Sequence, residues 1–370
     1  MKIGILGGGQ LAQMLALAGF PLGQRCVALD PKADAPAGQL VPLIVADYDD
    51  RAALDQLAAQ VDVVTFDFEN VPVESARYLS TRLPCFPPHL ALEKSQDRLA
   101  EKSLFTDLDI PTAPYFPVDT REDLTEGVAA LGLPALLKTR RFGYDGKGQF
   151  LLREAADLDR AWTELGGQAL LLEGFVQFER ELSIIAVRGR DGQTAFYPLS
   201  ENQHSGGILR VSRAPYRAPE LETQAQSYMD RLLNVLDYVG VLALECFVCK
   251  DGLLANEFAP RVHNSGHWTI EGARTSQFEN HLRAIAGLPL GDPSARGDSV
   301  MFNCIGKEPP LAQVAAVPGA HIHRYGKAAR PGRKLGHITL TGQDPAELRE
   351  REAQLAALIP TDSADPSAIS

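Results

Sequence analysis

Glu245 and Glu257 stand in two apolar runs, LALECFV and LLANEFA, separated by Lys250-Asp251-Gly252, a stretch with turn chemistry. If those three residues form the turn of a hairpin, the two acids fall directly opposite each other. Like charges opposed on one sheet face repel. A hairpin keeps such a pair where a divalent cation lies between them, and carboxylate and phosphate oxygens are the donors Mg²⁺ takes. The competing reading is a solvated pair on an exposed face, which runs this apolar do not suit. Asn256, beside Glu257, adds an oxygen.

A second group of residues suits an anion. Lys138 closes the apolar run LPALLKT and is followed by Arg140, Arg141, Phe142, Gly143, Tyr144, Asp145, Gly146, Lys147, Gly148 and Gln149. Closely spaced glycines flanked by Lys and Arg make a cationic loop whose amides can close over phosphates. The string lacks G-x-x-x-x-G-K-[ST], so it is not a P-loop; a glycine-rich hairpin with solvated charges is the alternative. A third group, Arg261, His263, Asn264, Ser265 and His267, crowds the segment that leaves the Glu257 strand. Arg261 can hold an anion as a planar fork, and His263 can bond or relay a proton. Ser265 and Gly266 between the two histidines argue against a zinc-binding helix.

At the N-terminus, Gly7-Gly8-Gly9-Gln10-Leu11-Ala12 fits G-x-G-x-x-A between a strand and a helix, and Asp30 ends the next strand. Glycines there let backbone approach a phosphate at a helix N-terminus, with the acid on a ribose. Alone, this pattern describes a dinucleotide site and an NAD-dependent oxidoreductase. The same turn binds other phosphates.

The elements that must position these groups follow from periodicity. Strands at 2–6, 24–29, 43–46 and 61–66 alternate with helices at 10–18 and 50–59, which predicts βαβ units and a parallel sheet ending near Pro84–Pro88. A helix is predicted over 94–108. A mainly antiparallel region follows, with strands at 136–139, 148–153, 170–173, 181–188 and 195–198, a helix at 222–236, and strands at 241–249 and 253–258. Strands at 299–305, 321–325 and 337–340 make a small C-terminal region, and 361–370 lacks apolar periodicity and is expected to be disordered.

With 370 residues, 45% of them hydrophobic, the chain suits two or three domains. The net charge of −11 and the lack of a basic run argue against nucleic-acid partners. No apolar run long enough for a membrane span is present. The start MKIGILGGGQ enters a strand at once rather than a signal sequence, and five sparse cysteines suit a reducing cytoplasm. Cys246 and Cys249 lack a second pair for zinc.

The strings GGGQLA, DR-x-x-x-K at 97–102, RRFGYDGKGQ, NEFAPRVHNSGHWT and RPGRKLGH come in the order seen in ATP-grasp enzymes of purine biosynthesis, and the chain resembles that family over residues 2–342. The resemblance implies an ATP-grasp fold, α/β and α+β. An N-terminal Rossmann-like domain (1–95) would precede an ATP-grasp domain (96–290, with a lid at about 110–180) and a small β-rich C-terminal domain (291–360). It also implies an ATP- and Mg²⁺-dependent carboxylate–amine ligase of the cytoplasm, usually a homodimer. Its chemistry would carboxylate aminoimidazole ribonucleotide with bicarbonate through carboxyphosphate. A formate-using glycinamide ribonucleotide transformylase shares the fold but not the NEFAPRVHNSGHWT string.

By position, the resemblance places Arg98, Lys138, Gly143–Gln149, Glu173, Gly174, Phe175, Val176, Glu181, His204, Asn256 and Glu257 at ATP, and Glu245 and Glu257 on Mg²⁺. Arg261 and His263, with Lys138, would serve the chemistry. Gly8, Gly9, Gln10, Leu11, Glu69, Tyr144, Asn264, Arg333 and Lys334 would hold the ribonucleotide. The chain departs from the family at Asp67, where Glu is usual.

Overall fold

The computed structural model describes residues 1–143 and 147–360. Tyr144, Asp145 and Gly146 of the cationic loop, and the 361–370 tail, lie outside the described residues. Among the described residues, no helix is long and apolar enough to cross a membrane.

The chain begins with β1 (Lys2–Leu6), α1 (Gln10–Gly19), β2 (Arg25–Asp30), β3 (Leu43–Val45), α2 (Arg51–Ala58), β4 (Val63–Phe66), α3 (Val73–Ser80) and α4 (His89–Ser95). The strands form an all-parallel sheet in the order β3-β2-β1-β4. The near-continuous burial of β1, β2 and β4 is what a sheet covered on both faces requires, while β3 at the edge is partly exposed. The α1 turn therefore opens at the carboxyl ends of β1 and β4, the edge where such sheets take ligands.

Next come α5 (Arg98–Asp107), β5 (Tyr115–Val118), α6 (Arg121–Leu131), β6 (Ala135–Thr139), β7 (Gln149–Leu152), α7 (Asp157–Leu165) and β8 (Leu170–Gly174). The single helix predicted over 94–108 is two helices. The first ends at Ser95, and Asp97 caps the second, accepting from the Leu99 and Ala100 amides at 2.9 and 3.3 Å. A four-stranded sheet, β5-β8-β6-β7, carries Lys138 and Glu173 on adjacent strands.

The remainder runs β9 (Arg180–Arg188), β10 (Thr194–Phe196), β11 (Ser200–Ser205), β12 (Ile208–Ala214), α8 (Pro219–Val235), β13 (Gly240–Cys249) and β14 (Gly252–Ala259). It continues through α9 (Thr269–Gly272), α10 (Gln277–Ala286), β15 (Asp298–Ile305), α11 (Leu311–Ala315), β16 (Ala320–Arg324), β17 (Lys334–Gly342) and α12 (Pro345–Ala356). The predicted strand at 195–198 is short and lies at the edge, whereas β11 and β12, polar along SENQHS, escaped the pattern. Both join one large sheet ordered β14-β13-β9-β11-β12-β15-β17-β16. The C-terminal strands thus extend the central sheet rather than standing apart from it. Ile3, Leu15, Val187, Val241, Trp268, Leu282, Met301 and Tyr325 share one buried cluster, which joins the N-terminal domain to the large sheet. Trp268 is fully buried, and its indole donates to Ser200 Oγ at 2.9 Å.

Candidate active site

The hairpin of β13 and β14 sets the metal-binding candidates, by a route other than the one expected. Cys249 pairs with Gly252, so the turn is Lys250-Asp251 alone, and such a turn would not oppose the two acids. A β-bulge restores them. The register shifts between Glu245 and Cys246, Asn256 is left without a partner in the ladder, and Glu245 then faces Glu257. Across the bulge the inward positions change phase, from Leu253 and Ala255 to Phe258, all three in one core cluster with Leu244, Cys246 and Val248. Without the extra residue, Glu257 would point into that core.

Each acid meets a nitrogen donor. Glu257 Oε2 is 3.2 Å from Arg98 Nη1, and Glu245 Oε1 is 3.3 Å from His263 Nε2. Burial, with the His204 and Glu257 charges acting in opposite senses, pushes Glu245 up to about 7. Burial alone would lower Arg98, but the charges of Glu257, Glu101 and Glu173 together hold the guanidinium above its ordinary value. Among the described residues no three His, Cys, Asp or Glu side chains could hold a metal by themselves. Two opposed carboxylates with an amide beside them fit Mg²⁺, which takes few protein oxygens and completes its shell with phosphate and water.

The tautomer of His263 follows from a chain of hydroxyls. Ser212 Oγ donates to Asn202 Oδ1 at 2.7 Å, Asn202 Nδ2 to Ser183 Oγ at 3.0 Å, and Ser183 Oγ to Ser265 Oγ at 2.7 Å. Ser265 has its own hydroxyl proton left, and its oxygen lies 2.9 Å from His263 Nδ1. Its amide also aims at Nδ1, at 3.3 Å. Nδ1 is therefore an acceptor and the ring proton sits on Nε2, facing Glu245. Burial, then the Arg261 and Lys334 charges, drive His263 well below its ordinary value, so the ring is neutral. Gln277 fixes the backbone, accepting from His263 N at 2.9 Å and donating to its carbonyl at 2.6 Å. Asn264 is spent on Asn303 in a reciprocal amide pair at 3.0 and 2.8 Å.

On the neighbouring sheet, Lys138 Nζ donates to Glu173 Oε2 at 2.8 Å, and the Lys102 ammonium lies 3.9 Å from the same oxygen. Burial would raise Glu173, yet Lys138 and Lys102 hold it down at about 2. The Glu173 side chain thus serves these lysines, which leaves the backbone of 173–176 as the edge that could read a base. The strand stops at Gly174, with Phe175 and Val176 beyond it and Phe175 exposed. Gly143 begins the cationic loop beside Arg98: a Cβ on it would come within 3.4 Å of Arg98 Nη2. Glu181 Oε2 lies 2.8 Å from His204 Nδ1 at one wall of a cavity of about 520 Å³, also lined by Phe178, Asn202 and Arg210. Burial opposes protonation of His204, but Glu181 raises it.

At the N-terminal turn the glycines make room for acids. Gly7 has φ +105, and a Cβ there would fall 1.6 Å from Asp67 Oδ1. Asp67 Oδ2 accepts from Ala12 N at 3.1 Å, and burial pushes this carboxyl up to about 7. Asp30 accepts from Gly8 N at 2.8 Å, Lys32 N at 2.8 Å and Tyr48 Oη at 3.0 Å. Its oxygens hold the turn together, which leaves a ribose reading without its acid.

Contacts distant in sequence complete the site. Arg261 Nε bonds Glu69 Oε2, and this guanidinium overcomes the effect of burial to hold Glu69 below its ordinary value. The Lys334 charge acts on Glu69, Glu245 and His263 alike. Arg333 Nη1 donates to Ala328 O at 3.1 Å. Residues that sequence reasoning missed are Lys327, whose ammonium bonds Gln10 Oε1, and Glu101 and Lys102 behind the bulge. Lys327 lies close to the RPGRKLGH string and Lys102 inside the DR-x-x-x-K string, the only local signals for them.

A ribonucleotide synthetase preATP-grasp domain matches residues 1–96, an ATP-grasp domain 103–278, and a phosphoribosylaminoimidazole carboxylase C-terminal domain 299–351. The chain is 55% identical to the N5-carboxyaminoimidazole ribonucleotide synthase of Pseudomonas aeruginosa, over 97% of this chain and 99% of that protein. It is 50% identical to that of Brucella melitensis, over 91% and 95%. The N5-carboxyaminoimidazole ribonucleotide synthetase structure from Thermus thermophilus superposes with a TM-score of 0.94 at 56% identity, over 99% of this chain and 100% of that one. The synthase from Aspergillus clavatus, in complex with ADP and 5-aminoimidazole ribonucleotide, superposes with a TM-score of 0.88 at 32% identity, over 97% of each chain.

Proposed function

The chain belongs to the N5-carboxyaminoimidazole ribonucleotide synthase family of ATP-grasp enzymes, and from that premise we propose which of its groups do which part of the work. It is an ATP-dependent carbon–nitrogen ligase of purine biosynthesis that carboxylates 5-aminoimidazole ribonucleotide to N5-carboxyaminoimidazole ribonucleotide.

A γ-phosphoryl group passes to bicarbonate, and the amine then attacks the carbon of carboxyphosphate with loss of phosphate. Both steps gather negative charge, so positioned cations and donors do most of the work. Arg98, Lys138 and the loop Gly143–Gln149 take the ATP phosphates. The 173–176 edge takes the base, while Glu181 and His204 take the ribose side. Glu245, Glu257 and Asn256 hold Mg²⁺, which when bound neutralises phosphate charge. Arg261 anchors the bicarbonate anion, and His263 donates from Nε2 to its oxygen. The turn Gly8–Leu11, with Glu69, Tyr144, Arg333 and Lys334, receives the ribonucleotide, and Lys327 joins them, while Asn264, paired with Asn303, supports the loop from behind. The domain limits 1–95, 96–290 and 291–360, a homodimer and a cytoplasmic location complete the reading.

The observation that carries this assignment is the opposed Glu245 and Glu257 with His263 Nε2 3.3 Å from Glu245. ADP release tests it with bicarbonate or formate, each with and without aminoimidazole ribonucleotide. Turnover is expected with bicarbonate and the ribonucleotide together. Turnover supported by formate instead would refute the bicarbonate assignment.

A further inference from the structure

Two consecutive residues of α5 grip the backbone on either side of Glu257. Glu101 Oε1 accepts from Phe258 N at 2.7 Å, and Lys102 Nζ donates to Asn256 O at 2.9 Å. The first contact holds the peptide that follows Glu257 and the second the peptide that precedes it. Thr112 Oγ1 accepts from Lys102 Nζ at 2.8 Å and donates to Ala255 O at 2.8 Å, which secures the next peptide back. Glu101 and Lys102 are 2% and 1% exposed, so both are removed from water and neither can reach substrate as a surface group.

A bulge frees one residue from the ladder, and that residue can in principle move along the strand. A slip of one position would exchange the faces of Glu257 and Phe258. Glu257 would then enter the cluster of Leu244, Cys246 and Val248. Burial of Phe258 in that cluster already opposes the slip. The external grip opposes it as well, since it holds the carbonyl of 256 and the amide of 258 from outside the strand. Lys102 also lies 3.9 Å from Glu173, which connects the same grip to the Lys138 end of the site.

We propose that Glu101 and Lys102 are positioning residues for the metal carboxylate, locking the bulge at Asn256 so that Glu257 stands opposite Glu245. This rests on the reading of Glu257 as an Mg²⁺ ligand, so the test includes that residue.

Mn²⁺ binding in the presence of ADP, followed by electron paramagnetic resonance, is compared in the native protein and in E257Q, E101L, E101Q, K102M and T112V. Thermal unfolding runs alongside. Residues behind metal ligands typically govern affinity by about 10- to 100-fold. E101L and K102M are therefore expected to weaken Mn²⁺ at least about tenfold, with T112V in between. E101Q keeps an acceptor for Phe258 N and should stay close to native. ADP affinity without metal should change far less than Mn²⁺ affinity in E101L, because Glu101 hydrogen-bonds the Phe258 amide rather than Arg98 or Lys138. A purely structural role would lower the unfolding temperature and leave Mn²⁺ affinity alone, which overturns the proposal. If E101L fails to fold, K102M and T112V decide on the same criterion. Native Mn²⁺ binding by E257Q would instead refute the ligand assignment itself, whereas weak binding by E257Q with native binding by E101L and K102M refutes only the grip.

Discussion

Replacing His263 with Gln and with Leu separates a hydrogen-bond donor from a general base. The hydroxyl chain through Ser183 and Ser265 leaves the proton of the neutral ring on Nε2. A Gln amide can present N–H near the same place, and a Leu cannot. Both substitutions remove the Nδ1 acceptor of Ser265 N, so their shared loss of stability cancels in the comparison. The difference between them is one buried donor facing a developing anion, about 1.5–3 kcal/mol, or roughly 10- to 150-fold in kcat/KM. ADP release at saturating ATP, with bicarbonate varied, measures it: H263Q should exceed H263L by about that factor. The native pH profile of kcat/KM should show no acid limb from this residue near 6.5, because His263 lies well below that value. If H263Q and H263L are equally inactive, and the native enzyme loses activity through an ionisation near 6.5 that H263Q abolishes, His263 is a base and the tautomer argument fails.

Other outcomes follow from the same geometry. K334A should raise KM for aminoimidazole ribonucleotide and leave that for ATP little changed, while K138A does the reverse, each by about ten- to a hundredfold; a common effect of both on ATP would undo the two-site assignment. Burial and neighbouring Arg333 lower Lys327 to about 8. Native kcat/KM for the ribonucleotide should therefore fall as pH passes that value, and K327M should be weaker below it but flat across it. The raised carboxyl of Asp67, from 3.8 to about 7, binds an extra proton in the folded state across that window. Its contribution to stability is present at low pH and lost as pH rises. Urea unfolding of D67N should accordingly depend less on pH between these limits than the native protein does; an unchanged slope would refute the shift.

Local chemistry and periodicity alone determined a good deal. Alternating βα runs and the glycine turn specified a parallel sheet with an anion-ready edge, and the apolar runs around Glu245 and Glu257 placed those acids on one hairpin. The loop of Lys138 and the Arg261–His263 segment were legible because each is a short string with several functional groups. What only the tertiary structure decided lies in contacts between distant residues. Arg98 meets Glu257 across 159 positions and Arg261 meets Glu69 across 192. Asp30 and Asp67 occupy the space that glycines vacate, which converts a dinucleotide-like pattern into a braced turn. Even the opposition of Glu245 and Glu257 depends on a two-residue turn compensated by a bulge. The phase change from Leu253 and Ala255 to Phe258 marks the bulge within the strand, but the groups that grip its backbone from outside come from a helix more than 150 positions upstream.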